Sequence, residues 1–184
     1  ALILSIVGTI VGFAVFFSVV ATSVDKAIGS GDTKVVQPSN AAGATGGTAD
    51  AKPAADAGTR ENPHPIGSVI ESDDWRIVVN SVTLAATDAV VAANQFNDPP
   101  AKGSQYMMVN YSTTYIGDDP DGQMPAFVSI DYVTAEGTTV NKLDNHAVAP
   151  KPIDTMSTLY TNGTATGNMV IEVPTAKAGE GVLA

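Results

Sequence analysis

The sequence predicts an all-β fold: an antiparallel β-sandwich preceded by one N-terminal transmembrane α-helix and a low-complexity tether. Three observations predict it. Residues 1–24, "ALILSIVGTIVGFAVFFSVVATSV", contain no charged residue. Residues 29–61 are a run of Ala, Gly, Thr, Asp and Pro. From Ile66 onward apolar residues recur with period two between clusters of Gly, Pro, Asn and Asp, the pattern of short antiparallel strands.

The first element, residues 1–28, is expected to be a transmembrane helix. As a helix, residues 1–24 would reach roughly 36 Å, enough to cross a hydrocarbon core of about 30 Å. A signal peptide is the competing reading, but its apolar region is usually about 7–15 residues, shorter than this one. Asp25 and Lys26 mark the exit. Gly8 and Gly12 form a G-x-x-x-G pair, and Ala14, Ser18 and Thr22 repeat small residues every fourth position. Such rows let two helix backbones approach closely, so these five residues are the expected helix–helix contact. Their plain alternative is that Gly and Ala are common in membrane helices. The segment opens on Ala1, which suggests that these are not the native ends.

Residues 29–61 are expected to be a tether. Only Val35-Val36 interrupts the polar and small residues, so ordering the segment would not be repaid by burial. A flexible coil of that length spans roughly 30 Å on average. At its end Pro63 and Pro65 flank His64. Proline fixes its own φ and pushes the preceding residue toward extended conformations, so Pro63, His64 and Pro65 are expected to be a hinge collar that turns a slack tether into a directed strand.

The folded part, residues 62–184, begins there. "WRIVVNSVTL" sets Trp75, Ile77 and Val79 on one face. "ATDAVVAANQ", residues 86–95, is the only helical candidate, with Thr87 or Asp88 as its cap. "SQYMMVNYSTTYIG" is a long strand with two partly apolar faces. "AFVSIDYVTAEGTTV" carries Ala135-Glu136-Gly137 as a hairpin turn. "MSTLY" and "ATGNMVIEVP" complete the set, with Met169, Ile171 and Val173 on one face of the last. About seven short strands divided by turn residues indicate a sandwich.

These residues also resemble a known family. "ENPHPIGS", a strand with Trp, "GSQYMMVNYSTTYIGDDP", "VAPKPIDTMSTLY" and "GTATGNMVIEVP" are similar to the telokin-like, immunoglobulin-like extracellular domain of unknown function found in actinobacterial membrane-anchored proteins and lipoproteins. The resemblance covers about residues 61–184. It implies an immunoglobulin-like sandwich outside the cytoplasmic membrane and supplies no catalytic residues. Two departures stand out. There is no lipobox cysteine, so anchoring falls to the helix. The chain stops at "GVLA", where such domains continue into a final strand, so Val182–Ala184 is expected to be the stub of that strand, unpaired or lost.

Charge and composition narrow the chemistry. Nine Lys and Arg against 19 Asp and Glu give a formal charge of −10. That opposes binding to nucleic acid or anionic headgroups and favours either solubility alone or a cationic partner surface. With no cysteine, disulfides, thiolate metal sites and a cysteine nucleophile are excluded. No phosphate loop, dinucleotide turn or G-x-S-x-G elbow is present. His64 and His146 lie 82 positions apart, a poor start for zinc. No catalytic residue and no cofactor are expected. Asp118, Asp119 and Asp121 in "GDDPDGQ" are weak candidates for a hard cation such as calcium, which wants several loop oxygens. A solvated turn is the plainer reading, there and at Asp73-Asp74. The loop "QFNDPPAKG" offers Phe96 beside the stiff Pro99-Pro100 pair and is the expected partner-contact loop. The alternative there is Phe96 folded back as a lid. Of two sequons, Asn110-Tyr-Ser lies mid-strand and Asn162-Gly-Thr in a turn.

The reading is a non-enzymatic, single-pass protein of the cytoplasmic membrane with its β-domain on the extracytoplasmic side. Its partner is expected to be an integral membrane protein complex, hetero-oligomeric, and the actinobacterial resemblance suggests an accessory subunit of a cytochrome bc–cytochrome oxidase respiratory supercomplex. The alternative is a tethered module that binds or senses a ligand or metal through its acidic loops. An enzyme is the third and weakest reading.

Overall fold

A computed structural model describes residues 58–141 and 146–184, together with three short strands nearer the N-terminus. Among the described residues ten strands form: β1 (Leu2–Ser5), β2 (Gly8–Ile10), β3 (Lys34–Val36), β4 (Val69–Glu71), β5 (Trp75–Thr83), β6 (Ser104–Tyr115), β7 (Tyr132–Val133), β8 (Thr139–Val140), β9 (Thr164–Pro174) and β10 (Val182–Leu183). They pair antiparallel in two sheets, ordered β2-β1-β10-β7-β8 and β3-β4-β5-β6-β9. Among the described residues one α-helix, Thr87–Ala93, joins β5 to β6.

The period-two pattern explains the larger sheet. On β6 the odd residues Met107, Val109, Tyr111, Thr113 and Tyr115 are buried on one face. Met107, Val109 and Tyr111 meet Ile70, Val79, Met169, Ile171 and Val173 from their own sheet, and Tyr132 and Leu183 from the other, in one apolar core. At its N-terminal half β6 is covered on its second face too. There Tyr106 packs with Val90 of the helix, Ala86, Ala149 and Val170. A strand apolar on both faces is what double coverage requires. Trp75 stands opposite Tyr115, their ring centroids 5.2 Å apart and tilted by 57°.

Beyond the helix the second face is polar. Asn110, Ser112 and Thr114 of β6 stand opposite Asn168, Thr166 and Thr164 of β9. Their hydroxyls pair at 2.8 Å, Ser112 with Thr166 and Thr114 with Thr164. Asn80 is the extra residue of a β-bulge between Val79 and Ser81, and its Nδ2 donates to Asn110 Oδ1 and Ser112 Oγ. The bulge shifts the phase of β5, so Trp75, Ile77 and Val79 hand over to Val82 on the core face.

Several expectations change. Val182–Leu183 is not an unpaired stub: it pairs with Tyr132–Val133, and Ala184 and Asp131 exchange backbone hydrogen bonds at 2.7 Å. The helix is not capped by Thr87 or Asp88. Ala86 occupies the N-cap, and Thr87 Oγ1 instead accepts the Tyr106 N–H. "MSTLY" makes only a single bridge, Leu159 to Gln123. "AFVSIDYVTAEGTTV" breaks into a 3-10 turn at Pro125–Phe127 and the short hairpin of β7 and β8. Pro125 has no N–H for a ladder, which favours the turn.

Within the span 1–24, expected to be a transmembrane helix, the described residues are the strands β1 and β2. Ile3, Thr9 and Ile10 are β-branched, which suits a strand as well as an apolar helix. The rest of that span lies outside the described residues. No helix among the described residues is long and apolar enough to cross a membrane.

Candidate functional site

Three regions hold the residues singled out by sequence. The first is the collar. His64 is buried, only 6% exposed, and loss of hydration holds its imidazole below the ordinary histidine range. Ser68 donates to the Pro65 carbonyl through both its backbone N–H and its Oγ, at 3.1 and 2.7 Å. The Gly67 N–H reaches the Val79 carbonyl at 2.9 Å. Just upstream, the Arg60 guanidinium donates to the carbonyls of Thr134 (2.8 Å) and Ala135 in the β7–β8 turn. Of the collar, His64 is thus buried against the domain and Pro63 half-buried, while Pro65 stays exposed, and Arg60, assigned to the tether, is bonded to the domain as well.

The second is the Phe96 loop, at the end of the long strands where β6 begins. Phe96 is 81% exposed and is not a lid on the core. Pro99 is exposed and Pro100 half-buried. The loop is held from behind by Asn97, which is buried. Its Nδ2 donates to the carbonyls of Val90 (2.6 Å) and Val148 (2.8 Å), and its Oδ1 accepts the Val148 N–H at 2.8 Å. Tyr106 donates its hydroxyl to the Asp98 carbonyl at 2.8 Å. The aromatic is therefore presented to solvent from an anchored base. Asn97 carries that geometry, and the sequence gives no sign of it beyond an Asn beside an Asp-Pro-Pro turn.

The third region is the opposite end, where β5 starts, β6 stops and β9 starts. It joins two acidic turns that are 45 positions apart in the chain. The Ile116 N–H donates to the Asp74 carbonyl at 2.8 Å, and the Asp119 N–H to the Tyr115 hydroxyl at 3.1 Å. Burial first, then the neighbouring charges of Asp73, Asp118 and Asp119, raises the Asp74 carboxyl above the usual carboxylate range. Asp121 donates its N–H to Asp119 Oδ1 at 3.0 Å, an Asx turn. Among the described residues no group of three or more His, Cys, Asp or Glu is arranged to hold a metal ion, and Asp118, Asp119 and Asp121 form no such group.

The same end exposes large apolar side chains. Gln123 and Leu159 exchange backbone hydrogen bonds at 2.9 and 2.8 Å, which lays the loop after β6 beside the loop before β9. Phe127 is 89% exposed, Met156 71% and Tyr160 63%, with Met124 also exposed. The loop that carries Met156 and Tyr160 is fixed. The Asp154 carboxylate accepts from Ser157 Oγ (2.6 Å) and the N–H groups of Met156 (2.9 Å) and Ser157 (3.0 Å), which holds it below the usual carboxylate range. Gly122, at φ 68°, lies so close to the loop before β9 that a Cβ would come 2.6 Å from the Leu159 carbonyl. Thr161 Oγ1 closes the loop on the Gly117 carbonyl at 2.8 Å.

Gly8 lies in strand β2, while Gly12, Ala14, Ser18 and Thr22 lie outside the described residues. Asn110 of the first sequon already uses its amide, donating to Asn168 Oδ1 at 2.7 Å and the Gly167 carbonyl at 3.2 Å. Compared with family models, with curated proteins and with solved structures, the chain gives no match.

Proposed function

We propose that this chain is a non-enzymatic, single-span membrane protein whose extracytoplasmic β-domain docks on a larger integral membrane complex. The domain is read as an immunoglobulin-like sandwich of the telokin-like kind, on the motifs quoted from residues 61–184. The concrete candidate for the complex, on that resemblance, is an actinobacterial cytochrome bc–cytochrome oxidase supercomplex.

The observation that carries the docking role is Phe96. An aromatic 81% exposed on a loop fixed by the three hydrogen bonds of buried Asn97 costs little ordering on binding and gains much from desolvation. The uncharged span of residues 1–24 is the sequence feature that supports the anchor, and the anchored state requires the short pairings of β1 and β2 to open.

Purification of the full chain in mild detergent tests the reading. Integral membrane subunits are expected to co-purify, and Phe96→Ser is expected to reduce their recovery while leaving the melting temperature unchanged. Recovery of this chain alone would overturn the proposal, as would its release from membranes by alkaline carbonate.

A further inference from the structure

The end of the larger sheet remote from Phe96 combines two features that seldom occur together on a free surface. Phe127, Met156, Tyr160 and Met124 hold apolar side chains in solvent; the Met156 N–H is bonded to Asp154 and the Tyr160 carbonyl to the Gly163 N–H, and Met124 and Phe127 lie beside the bonded Gln123–Leu159 and Pro125–Val128 pairs. Soluble surfaces that gather large apolar groups inside a charged rim mark interaction sites. The rim here is the pair of acidic turns, Asp73-Asp74 and Asp118-Asp119, brought together by the Ile116–Asp74 hydrogen bond.

We propose that this end is a docking surface for a basic, amphipathic segment of a partner protein. Its apolar residues cover Phe127, Met156 and Tyr160, and its Lys or Arg side chains meet the two acidic turns. The inference rests on the reading of the chain as a docking module and assigns it a second surface.

The sign of the rim decides the occupant. Crowded carboxylates repel an anionic headgroup, a nucleic acid or a second copy of this chain at formal charge −10. A cationic partner relieves that crowding, which adds to the larger effect of burial in lifting Asp74 above the ordinary range. A bare cation is disfavoured, because these carboxylates form no metal-holding group. Position supports independence from the first surface. Phe96 lies toward the Ser104 end of β6 and this surface at its Tyr115 end, roughly 35 Å along the strand.

The test uses the full chain in detergent micelles and a fluorescein-labelled Lys/Leu peptide, with empty micelles as the blank and a Leu/Glu peptide as the charge control. Anisotropy reports binding. Emission from Trp75, whose ring meets Tyr115 at this end, reports its place. Saturable binding of the Lys/Leu peptide is expected. It should weaken by at least about tenfold in Asp118→Asn/Asp119→Asn and again in Phe127→Ser/Met156→Ser. Glu136→Gln/Glu180→Gln, which removes the same charge elsewhere, and Phe96→Ser should each change it by less than about twofold. Equal binding of the Leu/Glu peptide, equal weakening by the remote pair, or no saturable binding overturns the proposal. The peptide assay contains no membrane complex, so failure of this surface is distinguishable from failure to co-purify.

Discussion

Two buried polar side chains show how much one residue can decide. Thr113 is fully buried on the core face of β6, opposite Ile77 and Ala165, and its Oγ1 has no hydrogen-bond partner. A buried hydroxyl without a partner costs more than an apolar group of the same shape. Thr113→Val is therefore expected to raise stability by about 1 kcal/mol, read as a higher urea midpoint at unchanged slope. Asn97 is the opposite case, buried with three good hydrogen bonds. Asn97→Ala would strand the carbonyls of Val90 and Val148 and the Val148 N–H. It is expected to cost about 3 kcal/mol, while its neighbour Phe96→Ser changes stability by less than about 0.5 kcal/mol. That pair also marks a limit of sequence reading. Phe96 was legible as a candidate contact because a large aromatic in a Pro-rich loop is unusual. Asn97 was not, because its partners at Val90 and Val148 are set by how the helix and a distant segment meet.

At the scale of elements, what repeats with period two was legible and what depends on cross-chain contact was not. The strand candidates around Trp75, Met107 and Ile171 became β5, β6 and β9, and the residues 86–95 yielded the helix. The bulge at Asn80 could have been found: apolar residues fall on odd numbers through Val79 and on even numbers at Val82 and Leu84. The helix cap could not, since Thr87 is diverted by a strand that arrives 19 residues later. The strap at residues 150–153 was equally hidden. It lies along the outer edge of β9, where the Ile153 N–H donates to the Asn168 carbonyl (3.1 Å) and the Asn168 N–H to the Lys151 carbonyl (3.0 Å). Its close approach is possible because Gly167 has no side chain. A Cβ there would lie 2.4 Å from Ile153 Cα and 2.5 Å from its backbone nitrogen, and neither atom can rotate away. Gly167→Ala is expected to lift the strap, lose about 2 kcal/mol, and remove hydrogen-exchange protection at Ile153 and Asn168 while the β5–β6 amides stay protected. An exposed edge strand of this length would otherwise invite pairing with another chain, so the variant should also aggregate more readily.

At the scale of the whole molecule the collar and the acidic end respond to pH with opposite sign. Burial holds His64 below the ordinary histidine range. Above about pH 6.5 the histidine is neutral in both folded and unfolded chains and contributes nothing to pH dependence. As pH falls through that value, the unfolded chain binds a proton first, so stability drops until the folded imidazole also protonates. Asp74 works the other way. Its raised value means the folded domain binds a proton before the unfolded chain does, so stability rises as pH falls from the Asp74 range toward about 4. Both effects follow from burial, the larger cause in each case, acting on groups of opposite charge. Thermal melting between pH 4 and 8 is expected to show a decline below neutrality that His64→Gln removes. Asp74→Asn should leave that decline in place and make the acid limb steeper, because the compensating proton uptake is gone. If a basic partner occupies the acidic end, its charge returns Asp74 toward the ordinary carboxylate range. Binding would then release a proton, and affinity would weaken as pH falls through the Asp74 range, with no such trend in Asp74→Asn. Calorimetry of the Lys/Leu peptide in two buffers of different ionisation enthalpy measures that proton directly, and equal heats in both would refute the link between the crowded carboxylates and the docking surface.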